Sequence, residues 1–147
     1  MQPTPQGGAP VSRLVRVWAK HPETGEPGAL DARVTWQVIG DDVQVWVTVG
    51  ANTYTETSAN LFYALFMVRL NHLEPNWIML LTQGCRYDVW SPNALDPRYF
   101  PGDRGVIELP GRGVVETVDL LAPSMHDSNK VVRSDEQMKY HSQTVGT

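Results

Sequence analysis

The chain has 147 residues, of which 41% are hydrophobic and 19% are charged, a composition typical of one globular domain and too apolar for a chain disordered throughout. A formal net charge of -4 argues against a nucleic-acid partner, because proteins that bind phosphate backbones normally present a basic face. The longest apolar run, Leu61–Val68, is far shorter than the ~20 residues of a membrane-spanning helix, so we expect no integral membrane protein.

The cysteine content and the first residues indicate the compartment. Cys85 is the only cysteine, so no disulfide can form within the chain. The first residues have neither the basic start nor the apolar run of a signal peptide. A reducing cytoplasm is therefore the expected location.

Three segments are expected along the chain. Residues 1–10 contain Gly and Pro without periodicity and predict a flexible leader. Residues 11–123 carry the strand and helix patterns and predict a single α+β domain. Residues 124–147 are polar and predict a C-terminal segment with a short helix capped by Ser134.

Two strand patterns open the domain. Over Val11–Lys20, alternation of side chains predicts a strand with one apolar face, formed by Val15, Val17 and Ala19. Residues 34–38 and 43–49 alternate apolar and polar side chains around Gly40, which tolerates the positive φ of a hairpin turn. The pair predicts an antiparallel sheet whose valine-rich face is covered by an apolar element.

The predicted cover is a helix over residues 58–72. Thr57 or Ser58 can cap its first turn, and Pro75 stops it just after Glu74. Its apolar residues occupy nearly the whole circumference, which is typical of a helix buried on more than one side. Two interpretations stay open: burial between the sheet and the C-terminal segment, or packing of one side against a partner. The interface residues of the second interpretation are Tyr63, Phe66, Met67 and Leu70.

The later strands are expected to form hairpins. Residues 77–82 form an apolar run typical of a central strand, and residues 86–90 return as its partner. Residues 91–105 form a long loop, a feature that is often functional. Residues 106–109 and 114–121 predict a third hairpin. Together these patterns predict an α+β fold, with an antiparallel sheet of about six or seven strands packed on one central apolar helix.

The patterns of common enzyme classes are missing from the sequence. It has no phosphate-binding glycine loop and no Gly-x-Ser-x-Gly nucleophile elbow. Its histidines lie too far apart for zinc-ligand spacing, so we expect no metal and no cofactor. A cation such as Arg86 favours the reactive thiolate of a neighbouring cysteine, yet incidental packing is the favoured interpretation of Cys85. The histidines are His21, His72, His126 and His141.

One stretch concentrates polar side chains at the end of the second hairpin and in the loop that follows. Two or three carboxylates there could act as a general acid and base, if burial keeps one of them protonated. Ion pairs that hold the loop on the sheet, or contact with a partner, are the favoured interpretation. The candidate binding residues are Arg86, Asp88, Asp96, Arg98, Tyr99, Asp103 and Arg104.

Residues 71–92, NHLEPNWIMLLTQGCRYDVWSP, resemble a family of small bacterial proteins found notably in actinobacteria. In that family a helix ending in Leu-Glu leads to a Trp-containing strand, a tight turn and an Arg-x-Asp-Val strand. The chain departs from the pattern at Ser91 and lacks the Met-rich and Gly-rich stretch that follows. The resemblance implies a fold and no activity. Matching positions are Leu73, Glu74, Trp77, Leu81, Gly84, Arg86, Asp88, Val89 and Trp90, with Val118, Asp119 and Gln137 downstream.

Three functions follow as hypotheses, and the sequence favours a role that is not enzymatic. The first is a non-catalytic cytoplasmic protein-binding module, such as an immunity-type, inhibitor or accessory protein, whose partner is another protein or a second copy. The second is a small enzyme or ligand binder with its site at the hairpin and loop between Arg86 and Arg104. The third is a structural component of a phage or another assembly.

Overall fold

A computed structural model of the chain describes residues 8–91, 103–124 and 128–145. Its strands are β1 (Val11–Lys20), β2 (Pro27–Ile39), β3 (Asp42–Val49), β4 (Asn52–Ser58), β5 (Met79–Leu80), β6 (Val89–Trp90), β7 (Arg104–Leu109) and β8 (Gly113–Asp119), and its helices are α1 (Leu61–Val68) and α2 (Ser134–Val145). Five strands form one sheet in the order β4-β3-β2-β1-β5, and three form a second in the order β6-β7-β8. Neighbouring strands are antiparallel in both sheets.

The first sheet confirms the strand patterns read from the amino-terminal half. On β1, Val15, Val17 and Ala19 are buried while the intervening side chains are exposed. The hairpin of β2 and β3 turns at Gly40, whose φ of 64° lies in the left-handed region that glycine adopts without steric penalty. Alternate valines of β3 are fully buried against α1. The apolar face of the sheet is therefore the inner face.

The start of the helix differs from the prediction. Thr57 and Ser58, the predicted caps, belong to β4, and the helix is capped by Asn60, whose side-chain oxygen accepts a 2.9 Å hydrogen bond from the Tyr63 amide. The sequence does not predict β4 because it has no apolar alternation: its residues are polar apart from Tyr54, and its inner face is only partly buried. After α1 the chain continues through a π-helical turn, Arg69–Leu73, and a 3-10 turn over the next three residues.

The predicted single sheet and the predicted second hairpin are both wrong. Strand β5 pairs with β1, where Met79 lies opposite Trp18, whereas β6 pairs with β7, where Val89 lies opposite Ile107. The segments expected to form one hairpin therefore belong to different sheets. The expectation of one central helix is also wrong, because α1 packs on β3 and β4 whereas α2 contacts β6 and β7. The predicted C-terminal helix at Ser134 is confirmed as α2.

A tight 3-10 turn over Gln83–Cys85 separates the two sheets. The Gly84 amide donates a 2.9 Å hydrogen bond to the Leu120 carbonyl, just beyond β8. A Cβ at position 84 would lie 3.0 Å from the Leu120 side chain, so only glycine fits without displacement of a neighbour. The turn is therefore packed against the end of β8 and directs the chain into the second sheet.

The third predicted hairpin is confirmed as β7 and β8. The C-terminal segment then returns to the turn between the sheets: the Tyr87 amide donates to the Lys130 carbonyl at 2.8 Å, and the Val132 amide donates to the Cys85 carbonyl at 3.1 Å. The division of the chain at residue 123 stays a prediction, and most of the predicted loop 91–105 lies outside the described residues.

Replacement of Gly105 tests the packing of the second sheet. A Cβ at this position would lie 2.6 Å from Val89 Cγ1 and 2.8 Å from Leu120 Cδ2, both in the core. Gly105→Ala is therefore expected to lower the free energy of unfolding, measured by urea denaturation, by about 1–3 kcal/mol. The control is Gly28→Ala, where no atom lies within 4 Å and a change within about 0.5 kcal/mol is expected. Equal losses in the two variants would contradict this packing.

Candidate functional site

Arg86 and Asp88, the first two candidate binding residues, face each other in a buried ion pair. Arg86 Nε donates to Asp88 Oδ1 and Arg86 Nη2 donates to Asp88 Oδ2, each at 2.9 Å. Arg86 Nη1 also donates to Gln83 Oε1 at 2.8 Å. The two charged side chains are only 8% and 5% exposed. The pair therefore joins the turn between the sheets to β6 and presents little polar surface to a ligand.

The remaining members of that cluster are exposed or lie outside the described residues. Asp103 and Arg104 are exposed at the start of β7. The other three fall in residues 92–102, outside the described part of the chain; they are Asp96, Arg98 and Tyr99. Of the seven candidates, only Arg86 and Asp88 are thus brought together among the described residues.

The four helix residues predicted as an interface divide between core and surface. Phe66 is buried, with its ring centroid 5.6 Å from that of Trp90 on β6. Tyr63 and Met67 are half-buried, and only Leu70 is exposed. The first sheet and Trp90 both contact α1, so these contacts support burial between layers as the reason for its apolar circumference.

Gln137 of α2 is fully buried and lies at the centre of a hydrogen-bond network. The sequence analysis named this residue only as one position of the family resemblance. Its Nε2 lies 2.9, 2.9 and 2.7 Å from the carbonyl oxygens of Gly84, Arg86 and Val89, so its two hydrogens are shared among three acceptors. Its Oε1 accepts a hydrogen bond from the guanidinium of Arg69. One fully buried amide thus binds the irregular segment between the sheets and the π-helical turn that follows α1.

Glu74 supplies the second buried contact of α2. Its two carboxylate oxygens accept hydrogen bonds from the amide and the hydroxyl of Ser134, at 2.8 and 2.6 Å. A carboxylate at the first residue of a helix is favourable because the free amides there carry partial positive charge. Arg69 lies 3.7 Å from Glu74 and donates to the Val132 carbonyl at 2.8 Å. The buried charges of Glu74 and Arg69 therefore bind α2 and the segment before it to the rest of the domain.

The exposed feature of this region is Trp77, which the sequence pattern placed in a buried strand. It follows the 3-10 turn with φ 60° and ψ 37°, the left-handed conformation, and is the only non-glycine residue with positive φ among those described. This conformation costs an L-residue roughly 1–2 kcal/mol. The side chain is also 77% exposed. A bulky apolar residue thus occupies a position where glycine is the usual choice.

Trp77 lines two adjoining hollows. One, of about 330 Å³, is lined by Trp18, Pro27 and Met79 among others. The other, of about 560 Å³, extends towards β4 and includes Tyr54. Both are lined by four common residues, and we call the pair of hollows the Trp77 groove. The common residues are Ala19, Lys20, Trp77 and Ile78.

The rim of the Trp77 groove carries two carboxylates, Glu74 and Asp31, and two cations, Lys20 and Arg133. Its two carboxylates are occupied: Glu74 binds Ser134, and Asp31 accepts a 2.9 Å hydrogen bond from Arg16. The Lys20 ammonium has no ion-pair partner among the described residues. Within the described part of the chain, the one carboxylate paired with Arg133 is that of exposed Asp135, 3.8 Å from its Nε. An apolar floor is therefore flanked by two weakly engaged cations on a chain of net negative charge.

Within residues 8–91, 103–124 and 128–145, no three His, Cys, Asp or Glu side chains are grouped so that they could hold a metal ion. In the same part of the chain, no helix combines the length and apolar character needed to cross a membrane.

Comparisons with protein-family models, with curated proteins and with solved structures found no match to this chain. The resemblance of residues 71–92 to a bacterial family therefore stays a prediction. Any assignment of function rests on the described surfaces and on the chemistry that they offer.

The Arg86–Asp88 pair is expected to stabilise the fold. Asp88→Asn leaves the Arg86 charge buried without its counter-ion, and should lower the free energy of unfolding by about 3 kcal/mol. The matched control is Asp31→Asn, because Arg16 Nη1 and Asp31 Oδ1 are also 2.9 Å apart but both side chains are more than half exposed. There the expected loss is under about 1 kcal/mol. Similar small losses in both variants would show that the buried pair does not hold the two segments together.

Proposed function

We propose that the chain is a non-catalytic protein-binding module and that the Trp77 groove is its contact surface. The observation that carries this proposal is Trp77 itself, an exposed indole held in the left-handed conformation. The left-handed backbone disfavours the folded state, and the exposed indole gains little burial free energy that would compensate for it. Such backbone strain is concentrated at functional positions of proteins, which supports a role in contact with a partner.

The composition of the groove supports a protein partner. Trp18, which is 48% exposed, lines one hollow together with Trp77. Trp, Tyr and Arg are enriched among the residues that supply most of the binding energy at protein interfaces. The Trp77 groove contains all three types, with Tyr54 in the second hollow and Arg133 on the rim of the first.

The charge of the rim favours an acidic partner segment. Lys20 and Arg133 would attract carboxylates, while the apolar floor would accept aliphatic or aromatic side chains from the same segment. Charge complementarity of this kind raises association rates and selects among partners. A cytoplasmic immunity-type, inhibitor or accessory protein is one form that such a module takes, and a component of a phage or another assembly is a second.

The competing hypothesis of a small enzyme or ligand binder at the hairpin and loop has less support. That hypothesis expects at least two of the candidate side chains to converge on a cavity beside Asp88. Arg86 and Asp88 do converge, but on each other and in the core. A general acid or base must reach a substrate proton, and this pair is almost fully enclosed.

The Trp77→Gly variant tests the role of the indole in binding without a loss of folding stability. Glycine removes the indole and relieves the left-handed strain, so the free energy of unfolding should be unchanged or raised by up to about 1 kcal/mol. Binding should weaken about 30-fold, corresponding to roughly 2 kcal/mol. The measurement is affinity capture from the native host with quantitative mass spectrometry, followed by calorimetry with each purified protein that is captured.

The control is Leu14→Ser, which removes an apolar side chain that is 63% exposed outside the groove. A true partner is captured by the wild type and by this control, and is lost with Trp77→Gly. If every captured protein is retained by Trp77→Gly, the Trp77 groove is not the contact surface.

Charge reversal tests the acidic character of the partner. Lys20→Glu combined with Arg133→Glu should slow association at least tenfold at low ionic strength, with a smaller effect in high salt, because the rim acts through screened attraction. The control is Arg112→Glu, which alters an exposed cation in the turn between β7 and β8. Stopped-flow or surface-plasmon measurements give the rates. Equal effects of the groove variant and the control would contradict a specific role for the rim.

A further inference from the structure

The four edges of the two sheets are protected to different extents. Strands β5 and β6 have two residues each, too short to pair with an added strand. Strand β8 is irregular, because its register with β7 shifts at Ile107/Glu108, and it carries the acidic residues Glu116 and Asp119. Strand β4 has seven residues and pairs with β3 without any shift. It is thus the longest regular edge in the described part of the chain.

The sequence of β4 also lacks the usual protection. Natural edge strands are blunted by Lys, Pro, bulges or inward charges, because unpaired backbone groups otherwise recruit further strands. β4 reads Asn-Thr-Tyr-Thr-Glu-Thr-Ser, with neither Lys nor Pro. Its one charged residue, Glu56, points inward, but there it is already engaged within the chain by His72 at 2.8 Å and Asn71 at 3.2 Å. The three exposed residues of the edge, Thr53, Thr55 and Thr57, carry no charge.

The turn before β4 determines which backbone groups point outward. Gly50 and Ala51 form a two-residue connection between β3 and β4, so Val49 and Asn52 are a hydrogen-bonded pair. Backbone groups in an antiparallel ladder point alternately towards and away from the neighbouring strand. The outward groups consequently belong to three exposed residues, which are Thr53, Thr55 and Thr57.

We propose that β4 is a self-association surface, on which the β4 strands of two copies of this chain pair antiparallel about a twofold axis at Thr55. This register joins the two five-stranded sheets into one. Thr55 then lies opposite Thr55 of the other copy, and Thr53 lies opposite Thr57. Every outward amide and carbonyl of these residues gains a hydrogen-bonding partner.

The side chains of β4 are complementary in this register. Within each copy, the outer face already pairs hydroxyls across strands: Thr48 and Thr53 lie 2.9 Å apart, and Ser12 and Thr35 lie 2.6 Å apart. The threonines of the second strand extend this arrangement. On the inner face, Glu56 lies opposite Tyr54 of the other copy, so no like charges are directly opposed. The self-complementary sequence is the reason to assign a second copy, rather than a foreign strand, to this edge.

The proposal does not depend on the Trp77 groove, because its hydrogen bonds come from the backbone of Thr53, Thr55 and Thr57, whereas Asn52 and Tyr54 of the same strand line the second hollow. Sedimentation velocity over a concentration series is expected to show a dimer of the wild-type chain. Thr55→Lys and Thr55→Glu each place like charges opposite one another at the axis, and each variant should be monomeric. An equimolar mixture of the two variants should restore the dimer, because the charges at the axis are then opposite.

The control for general effects of charge is Thr117→Lys, which changes an exposed threonine on the β8 edge and should leave the dimer intact. A second readout is oxidation of Thr55→Cys. Paired Cα atoms in this register are about 5.5 Å apart, a separation that suits a disulfide. This variant should therefore form a covalent dimer, while Thr117→Cys should not.

Four results would overturn the proposal: a wild-type chain that stays monomeric throughout the micromolar range, a dimer that survives Thr55→Lys, a mixture of the Lys and Glu variants that stays monomeric, or a Thr55→Cys chain that does not cross-link. Circular dichroism of each variant establishes that it is folded. If a Thr55 charge variant is unfolded, the Thr55→Cys cross-link decides the outcome alone. A wild-type monomer whose β4 edge pairs with a foreign strand would also overturn self-association, and would leave the proposed function of the groove unaffected.

Discussion

The buried amide of Gln137 is the interaction on which the rest of this structure depends. Between the two sheets the chain passes through a tight turn and a two-residue strand, so several carbonyls there lack the continuous ladder of a long strand. A buried carbonyl left without a donor costs about 1–3 kcal/mol. The two amide hydrogens of Gln137 are shared among three carbonyls of this segment, and Arg69 donates to its oxygen. Docking of α2 is therefore coupled to the irregular segment that separates the sheets.

The same polar core determines where the surface features lie. Glu74 must reach Ser134 at the start of α2, which fixes the 3-10 turn at the end of the first helical segment. The next residue then has to reverse the chain into β5, and it does so in the left-handed conformation. Trp77 is exposed as a result, beside Trp18 on the neighbouring strand β1. The groove is thus a consequence of how α2 is anchored.

The polar cluster between Arg86 and Arg104 shows that polar composition alone does not identify a binding surface. Arg86 and Asp88 are close in sequence to several other charged residues, and that density pointed to a binding surface. A high density of charged residues in the sequence does not show whether each side chain is buried. Arg86 and Asp88 are buried, while Asp103 and Arg104 are exposed. For Trp77 the error was the reverse: the sequence predicted a buried residue, because it begins an apolar run and such runs are usually buried, yet it is exposed. Left-handed backbone at a non-glycine residue has no reliable signature in a single sequence.

By itself the sequence determined the local elements: β1, the hairpin of β2 and β3, the hairpin of β7 and β8, an apolar helix, and a C-terminal helix beginning at Ser134. These depend on alternation within a strand, on turn residues and on capping, all of which act over a few residues. Only the tertiary structure decided that β5 joins β1 while β6 joins β7, and that Gln137 is buried among distant carbonyls. Such contacts depend on which segments meet after the chain has folded, and Gln137 is separated from its acceptors by about fifty residues. Strand β4 likewise has a polar sequence with no alternation of apolar residues. It is a strand because it pairs with the edge of β3.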